Sequence, residues 1–247
     1  MKKNKAWLFL SMFAVAVACQ DDDEPANSIT TEEAAVIISS SLASNTSGVT
    51  MVSGKTTNVT EDLLEDNAGG RVAACGLSQN LDLSGASPAG ATITYSYDFS
   101  YKFKLNCSAE SPSDVSANLS YSGAFESAKL AAEHSGTSEL TVTGLETAVT
   151  EFLLNGFYKR AGSFENKETT VAGNSTVEIT LKDVVIDKAT HKIVSGTGSY
   201  LINGTVPDKG NFNYSGEINF EGLDIAVLTI KGDKFSCNLK NSEVTKK

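Results

Sequence analysis

The sequence is poor in the residues that most often carry chemistry. Among 247 residues there are one Trp, two His, four Cys and four Pro. Two histidines are too few for a multi-histidine metal centre, and neither CxxC nor a Cys-with-His zinc spacing occurs. GxSxG, HExxH and the glycine runs that cradle phosphates or dinucleotides are missing as well. His134, in Glu133-His134-Ser135-Gly136, and His191, in Thr190-His191-Lys192, both read as exposed turn residues. No catalytic residue, metal or cofactor is therefore expected. Basic residues are also in deficit, 20 against 30 acids, which argues against electrostatic binding of nucleic acid or anionic lipid heads. No apolar run reaches the ~20 residues that a bilayer-spanning helix needs.

What is present begins with the leader. Lys2, Lys3 and Lys5 form a basic head, Ala6 to Val17 an apolar run, and small residues lead to Cys19. That order is a secretory signal over residues 1–18, and Trp7, the one tryptophan, belongs to it. Ala16-x-Ala18 fits ordinary cleavage, which would release a soluble chain beginning at Cys19. Ala16-Val17-Ala18-Cys19 also resembles the lipobox of bacterial lipoproteins, although Ala16 stands where Leu or Val is usual. The resemblance implies acylation of Cys19, and two or more acyl chains anchor stably where one does not. Gln20-Asp21-Asp22-Asp23-Glu24 is a charged, extended spacer, and it resembles the acidic export tag of Bacteroidota surface lipoproteins. Together these imply a lipid-anchored outer-membrane protein at the cell surface, with a periplasm-facing placement as the alternative. Loss of the leader, which holds three lysines and no acid, moves the net charge from −10 to −13, so membrane contact is expected through the lipid.

Cys75, Cys107 and Cys237 then remain. An oxidising compartment allows a disulfide. Cys75–Cys107 is the favoured pair because each lies at the edge of a strand-like segment; three buried thiols are the alternative.

The rest of the chain divides by periodicity. Thr30 and Glu33 form a capping box ahead of Ala34, Ile37, Ile38 and Leu42, a one-sided helical stripe ending near Ser39-Ser40-Ser41. A second, shorter helix is expected over Thr60–Asp66. From residue 76 the period drops to two, most clearly in Thr92–Asn106, where Tyr95, Tyr97, Phe99, Tyr101 and Phe103 alternate with polar residues. At ~3.3 Å per residue that run is long enough to require a bend or bulge. Similar alternation recurs to Leu239, including Val177, Ile179, Leu181 and Val185, and predicts about nine or ten sequential antiparallel strands. The mid-strand glycines at Gly123, Gly156, Gly204 and Gly216 read as bulges or bends.

The organisation expected is a tether over 19–29, a helical segment over 30–75, a β domain over 76–240 and a polar tail over 241–247. The fold class is all-β with minor N-terminal α: a large antiparallel meander curled into a barrel or half-barrel, or folded as a sandwich, with short helices packed on it. The column Tyr95, Tyr97, Phe99, Tyr101, Phe103 is foremost a core face, and alternatively the lining of a cavity for a hydrophobic ligand. Glu126, Glu133, Glu178, Asp183 and Glu217 fall at solvent-facing strand positions. The functional expectation is a non-enzymatic binding or structural lipoprotein with an unassigned protein, glycan or lipid partner. A lipid carrier and a hydrolase whose site leaves no motif are the alternatives.

Overall fold

The computed structural model describes residues 27–68, 75–109 and 111–247. Cys19 and the acidic run Gln20 to Glu24 lie outside the described residues. Helix α1 (Thr31–Leu42) and helix α2 (Val49–Ala68) are joined by a 3-10 turn at Ser44–Thr46. Eleven strands then form one antiparallel sheet in chain order: β1 (Ser78–Ala86), β2 (Thr94–Ser108), β3 (Ser111–Glu126), β4 (Leu130–Thr143), β5 (Glu151–Asn166), β6 (Val171–Asp187), β7 (Lys192–Val206), β8 (Gly210–Gly222), β9 (Ile225–Ile230), β10 (Asp233–Asn238) and β11 (Val244–Lys246). The all-β meander with N-terminal helices is thus what the chain adopts. Among the described residues β1 and β11 each have a single neighbour, so the sheet is not closed and the full barrel is excluded. An open half-barrel or a folded-over sheet fits. The expected polar tail is partly strand, since Val244–Lys246 pairs with β10.

One face of the sheet is apolar and α1 and α2 lie on it. Phe99, Tyr101, Phe103 and Leu105 of β2 point inward beside Val115, Ala117, Leu119, Tyr121 and Phe125 of β3, all buried, while the intervening residues face solvent. The bulge required of so long a strand falls between Asn106 and Cys107, where the ladder with β3 shifts register. Cys75 and Cys107 form a disulfide there, and Cys237 stays free and buried.

α1 starts as its sequence dictates. Thr30 accepts from the Glu33 amide, Glu33 accepts from the Thr30 amide, and Ile37, Ile38 and Leu42 are buried. α2 differs from expectation: it runs for 20 residues rather than over Thr60–Asp66. Its first half is Val-Thr-Met-Val-Ser-Gly-Lys-Thr-Thr, with β-branched residues and a glycine that disfavour helix. Burial overrides propensity. Val52, Thr56, Thr57 and Thr60 are buried, and Thr57 and Thr60 return their hydroxyls to the helix's own Ser53 and Thr56 carbonyls at 3.0 and 2.9 Å.

A row of irregularities crosses β5, β6 and β7. The β5–β6 ladder shifts between Leu154 and Gly156, the β6–β7 ladder shifts between Lys182 and Val185, and Gly196 on β7 has φ 124°. Asp183, at φ 49°, gives its amide to Asn155 Oδ1 at 2.9 Å. The bulge flips parity: inward residues of β6 are Val177, Ile179 and Leu181 before it, then Val184 and Ile186 after it. The expected inward Val185 is consequently only half-buried.

The other singled-out glycines do not mark bulges. Gly123, Gly204 and Gly216 sit in unbroken register. Gly216 lies directly opposite Tyr200, and Gly136 directly opposite Tyr121, each glycine lying beneath the tyrosine ring. The Tyr121 hydroxyl passes over Gly136 and donates to the Lys159 carbonyl of β5 at 2.9 Å. Tyr200 does the same over Gly216, donating to the Thr229 carbonyl of β9 at 2.8 Å. A Cβ on either glycine would overlap both the carbonyl and the phenol, so these positions are glycine for space.

Candidate functional site

The chemistry-bearing side chains that converge inside the fold do so between β4, β5 and the end of α1. Arg160 shares the even parity of Phe152, Leu154, Tyr158 and Phe164 on β5, and that parity turns it inward, where it is 5% exposed. Its guanidinium donates to the Ser40 carbonyl at 2.8 Å and to the Thr46 carbonyl at 3.3 Å. Ser40 lies in the last turn of α1, whose final carbonyls have no partner within the helix and carry the negative end of its dipole. A cation there satisfies those acceptors and is stabilised by the dipole. The third contact of the guanidinium is His134 Nδ1 at 2.8 Å, and it lies 5.0 Å above the Phe125 ring centroid.

His134 corrects an expectation. It is not in a turn: it lies within β4, inward-facing and 6% exposed. Because Arg160 only donates, Nδ1 must accept, which leaves the proton on Nε2, a buried atom without a partner among the described residues. Burial, and then the nearby Arg160 charge, depress its pKa to about 2. An imidazole so held stays neutral at physiological pH, with its accepting nitrogen committed to Arg160. Tyr121 and Tyr158 stack on each other at 5.5 Å, and burial pushes both phenols upward. The cluster is built to hold α1 against the sheet.

His191 does lie in a turn, between β6 and β7, at φ 52°. It is half-buried rather than exposed and sits 3.2 Å from a Glu61 carboxylate oxygen of α2. The two histidines are therefore on different elements with different partners. Burial pushes the Cys237 thiol up to about 12, leaving it a small apolar side chain. Among the described residues, no group of three or more His, Cys, Asp or Glu side chains is placed to hold a metal ion. No described helix is long and apolar enough to cross a membrane.

The five aromatics of β2 separate into two sets. Phe99, Tyr101 and Phe103 are core; Tyr101 stacks on Phe103 at 5.1 Å and its hydroxyl reaches toward the Val52 carbonyl of α2 at 3.5 Å. Tyr95 and Tyr97 remain partly exposed. Tyr95 borders a cleft of about 510 Å³ at the open side of the sheet, lined also by Val36, Ile93, Leu130, Lys129 and Glu243. Glu126, Glu133, Asp183 and Glu217 face solvent as expected, and Glu178 is half-buried against Lys159 at 2.7 Å. The outer face carries serine, threonine, asparagine and charge. One shallow groove on it, about 990 Å³, is lined by Asn203, Thr205, Asn211, Asn213, Lys209 and Asn27.

Arg160 was the residue missed from the sequence, although its parity with Tyr158 and Phe164 was visible. No protein-family model matches this chain, and no curated protein or solved structure matches it.

Proposed function

We propose that this chain is a lipid-anchored extracytoplasmic module with a binding or structural role and no catalytic one. The observation that carries the reading is the order of the leader: basic head, short apolar run, Ala16-Val17-Ala18, then Cys19 and four acids within the next five residues. Acyl chains on Cys19 hold it to a bacterial outer membrane, and the acidic run directs it to the cell surface. Support for a non-catalytic role comes from the interior. The chain's own helices lie on the apolar face of the sheet, and His134, buried on that face, is committed to Arg160.

The domain stands close to its anchor. Asn27 and Ser28 are tied to β8, through the Asn213 amide to Asn27 Oδ1 at 2.7 Å and the Ser28 amide to the Asn211 carbonyl at 3.1 Å. Residues 19–26 reach at most ~28 Å when fully extended. The Asn-rich groove beside Asn27 therefore lies within that reach of the bilayer. Growth with labelled palmitate tests the anchor: label in the wild-type chain and none in Cys19→Ser is expected, with the variant leaving the membrane fraction. An unlabelled wild-type chain would sink the reading.

One feature favours a second reading, a carrier of a hydrophobic ligand. The cleft beside Tyr95 exceeds the ~300 Å³ at which small-molecule sites begin. Tyr95→Ser would then abolish retention of radiolabelled fatty acid by the purified chain; retention unchanged by that substitution would exclude the cleft.

A further inference from the structure

The two edges of the sheet are not alike. β11 is three residues long and its Lys246 is held by Glu32 and Asp233, both at 3.0 Å, so that edge is short and charged. β1 is nine residues, Ser-Gln-Asn-Leu-Asp-Leu-Ser-Gly-Ala, without proline, lysine or a register shift against β2. Among the described residues, none of the usual protections of an edge is present beyond a single Asp82. Its outward bonding groups can be assigned. The Leu105 amide donates to the Leu77 carbonyl and the Ser87 amide to the Tyr95 carbonyl, at 2.9 and 2.8 Å, in the register that continues through β1. Alternation along an antiparallel ladder then gives Gln79, Leu81, Leu83 and Gly85 to β2. Ser78, Asn80, Asp82, Ser84 and Ala86 point their backbone amides and carbonyls to the free side. On the inner face Leu81, Leu83, Tyr95 and Tyr97 form an apolar ledge that remains partly exposed.

We propose that β1 is the pairing edge for β1 of a second copy of this chain, the strands antiparallel about a twofold axis through Leu81. The charges exclude the registers centred on Asp82 and Leu83. The leucine face favours Leu81 over an axis at Asn80, which would also bring Asp82 near a lysine (Lys104, beside Ser78) but would set Leu81 against Gln79. An axis at Asp82 would set two carboxylates face to face, which is unfavourable. An axis at Leu83 would place Asp82 of the second copy opposite Ser84, whose neighbour on β2 is Asp98, another acid. An axis at Leu81 places Asp82 of the second copy opposite Asn80, whose neighbour on β2 is Lys102. Lysine then reaches across the short asparagine toward the carboxylate, twice by symmetry. In the same register Leu81 faces Leu81 of the second copy, at the close, non-hydrogen-bonded kind of position with Cα atoms about 4.5 Å apart. The two apolar ledges merge on one face. The pairing is independent of whether Cys19 is acylated.

The test uses the full chain in a mild, density-matched detergent. Sedimentation equilibrium is expected to give a dimer. Leu81→Cys, under gentle oxidation, is expected to form a disulfide-linked dimer on a non-reducing gel, and Leu83→Cys, facing Gln79 of the second copy, is not. Asn80→Pro removes an amide that points outward only, so the bond pattern to β2 is kept. It is expected to weaken the dimer by about a hundredfold or more, because symmetry puts two prolines in one short ladder. A single-chain mass up to about 100 µM, well above typical specific affinities, would overturn the proposal. So would a dimer indifferent to Asn80→Pro, or cross-linking at Leu83→Cys in preference to Leu81→Cys.

Discussion

β2 and β3 on one side, and β4 and β5 on the other, belong to the same sheet and face the same interior, yet their inward residues differ in kind. β2 and β3 turn in Phe99, Tyr101, Phe103, Leu119, Tyr121 and Phe125. β4 turns in Ala132, His134, Gly136 and Ser138, and β5 turns in Arg160, Gly162 and Asn166 alongside its aromatics. The difference follows from what lies opposite. The end of α1 and the turn at Ser44–Thr46 present carbonyls to β5, and an apolar wall would leave the Thr46 carbonyl unpaired and the Ser40 carbonyl with the Thr46 hydroxyl alone. A sheet that swallows a helix end needs polar groups where that end arrives.

The comparison can be broken from the apolar side first. Phe103→Ala removes a fully buried ring from β2 and is expected to cost about 4 kcal/mol, measured by denaturant unfolding. On the polar side, Arg160→Met keeps volume but strips the Thr46 carbonyl and His134 Nδ1 of their donor and leaves the Ser40 carbonyl only the Thr46 hydroxyl, for about 3 kcal/mol. Its neighbour Lys159 points outward to Glu178 across a partly exposed pair, so Lys159→Met should cost under about 1 kcal/mol. Equal costs at 159 and 160 would mean that Arg160 does not cap α1.

Gly136→Ala is the next in size. The added carbon displaces Tyr121 from the Lys159 carbonyl, and about 2–3 kcal/mol is expected. A pH-dependent effect sharpens the role of His134. Its folded pKa, about 2, lies below the ordinary 6.5, so the unfolded chain takes up a proton first as pH falls. The stability in question is fully present above about pH 6.5 and is lost progressively below it, by roughly 2 kcal/mol at pH 5. His134→Asn should flatten that part of the pH profile; a profile unchanged by the substitution would show that His134 does not contribute to it.

The same contrast explains what was legible in the residues. β2 and β3 could be read by eye, because their inner face is filled by large apolar side chains at every second position. β4 was read only at Leu140 and Val142, since alanine, histidine, glycine and serine on its inner face imitate a loop. α2 was read at a third of its length for the converse reason: Val49 to Thr60 has strand-like composition, and only enclosure by the sheet makes it helical. The disulfide partners could be inferred from their places at the ends of strands. The polar cluster could not, because Ser40, Thr46, His134 and Arg160 are spread over 120 positions and contribute two backbone carbonyls, which no side-chain pattern reports.

The tyrosines that rest on glycines also settle a question that alternation leaves open. Sliding β4 along β3 by two residues would keep every side chain on its own face, so hydrophobic patterning alone does not forbid it. Such a slide would bring His134 or Ser138 under the Tyr121 ring in place of Gly136, and the phenol would lose its path to the Lys159 carbonyl. Moving β8 past β7 would set Tyr214 or Ile218 beneath Tyr200 in the same way. Each ring acts as a pin that drops into one notch only, and two such pins index long strands whose repetitive serine and threonine faces would otherwise let them creep.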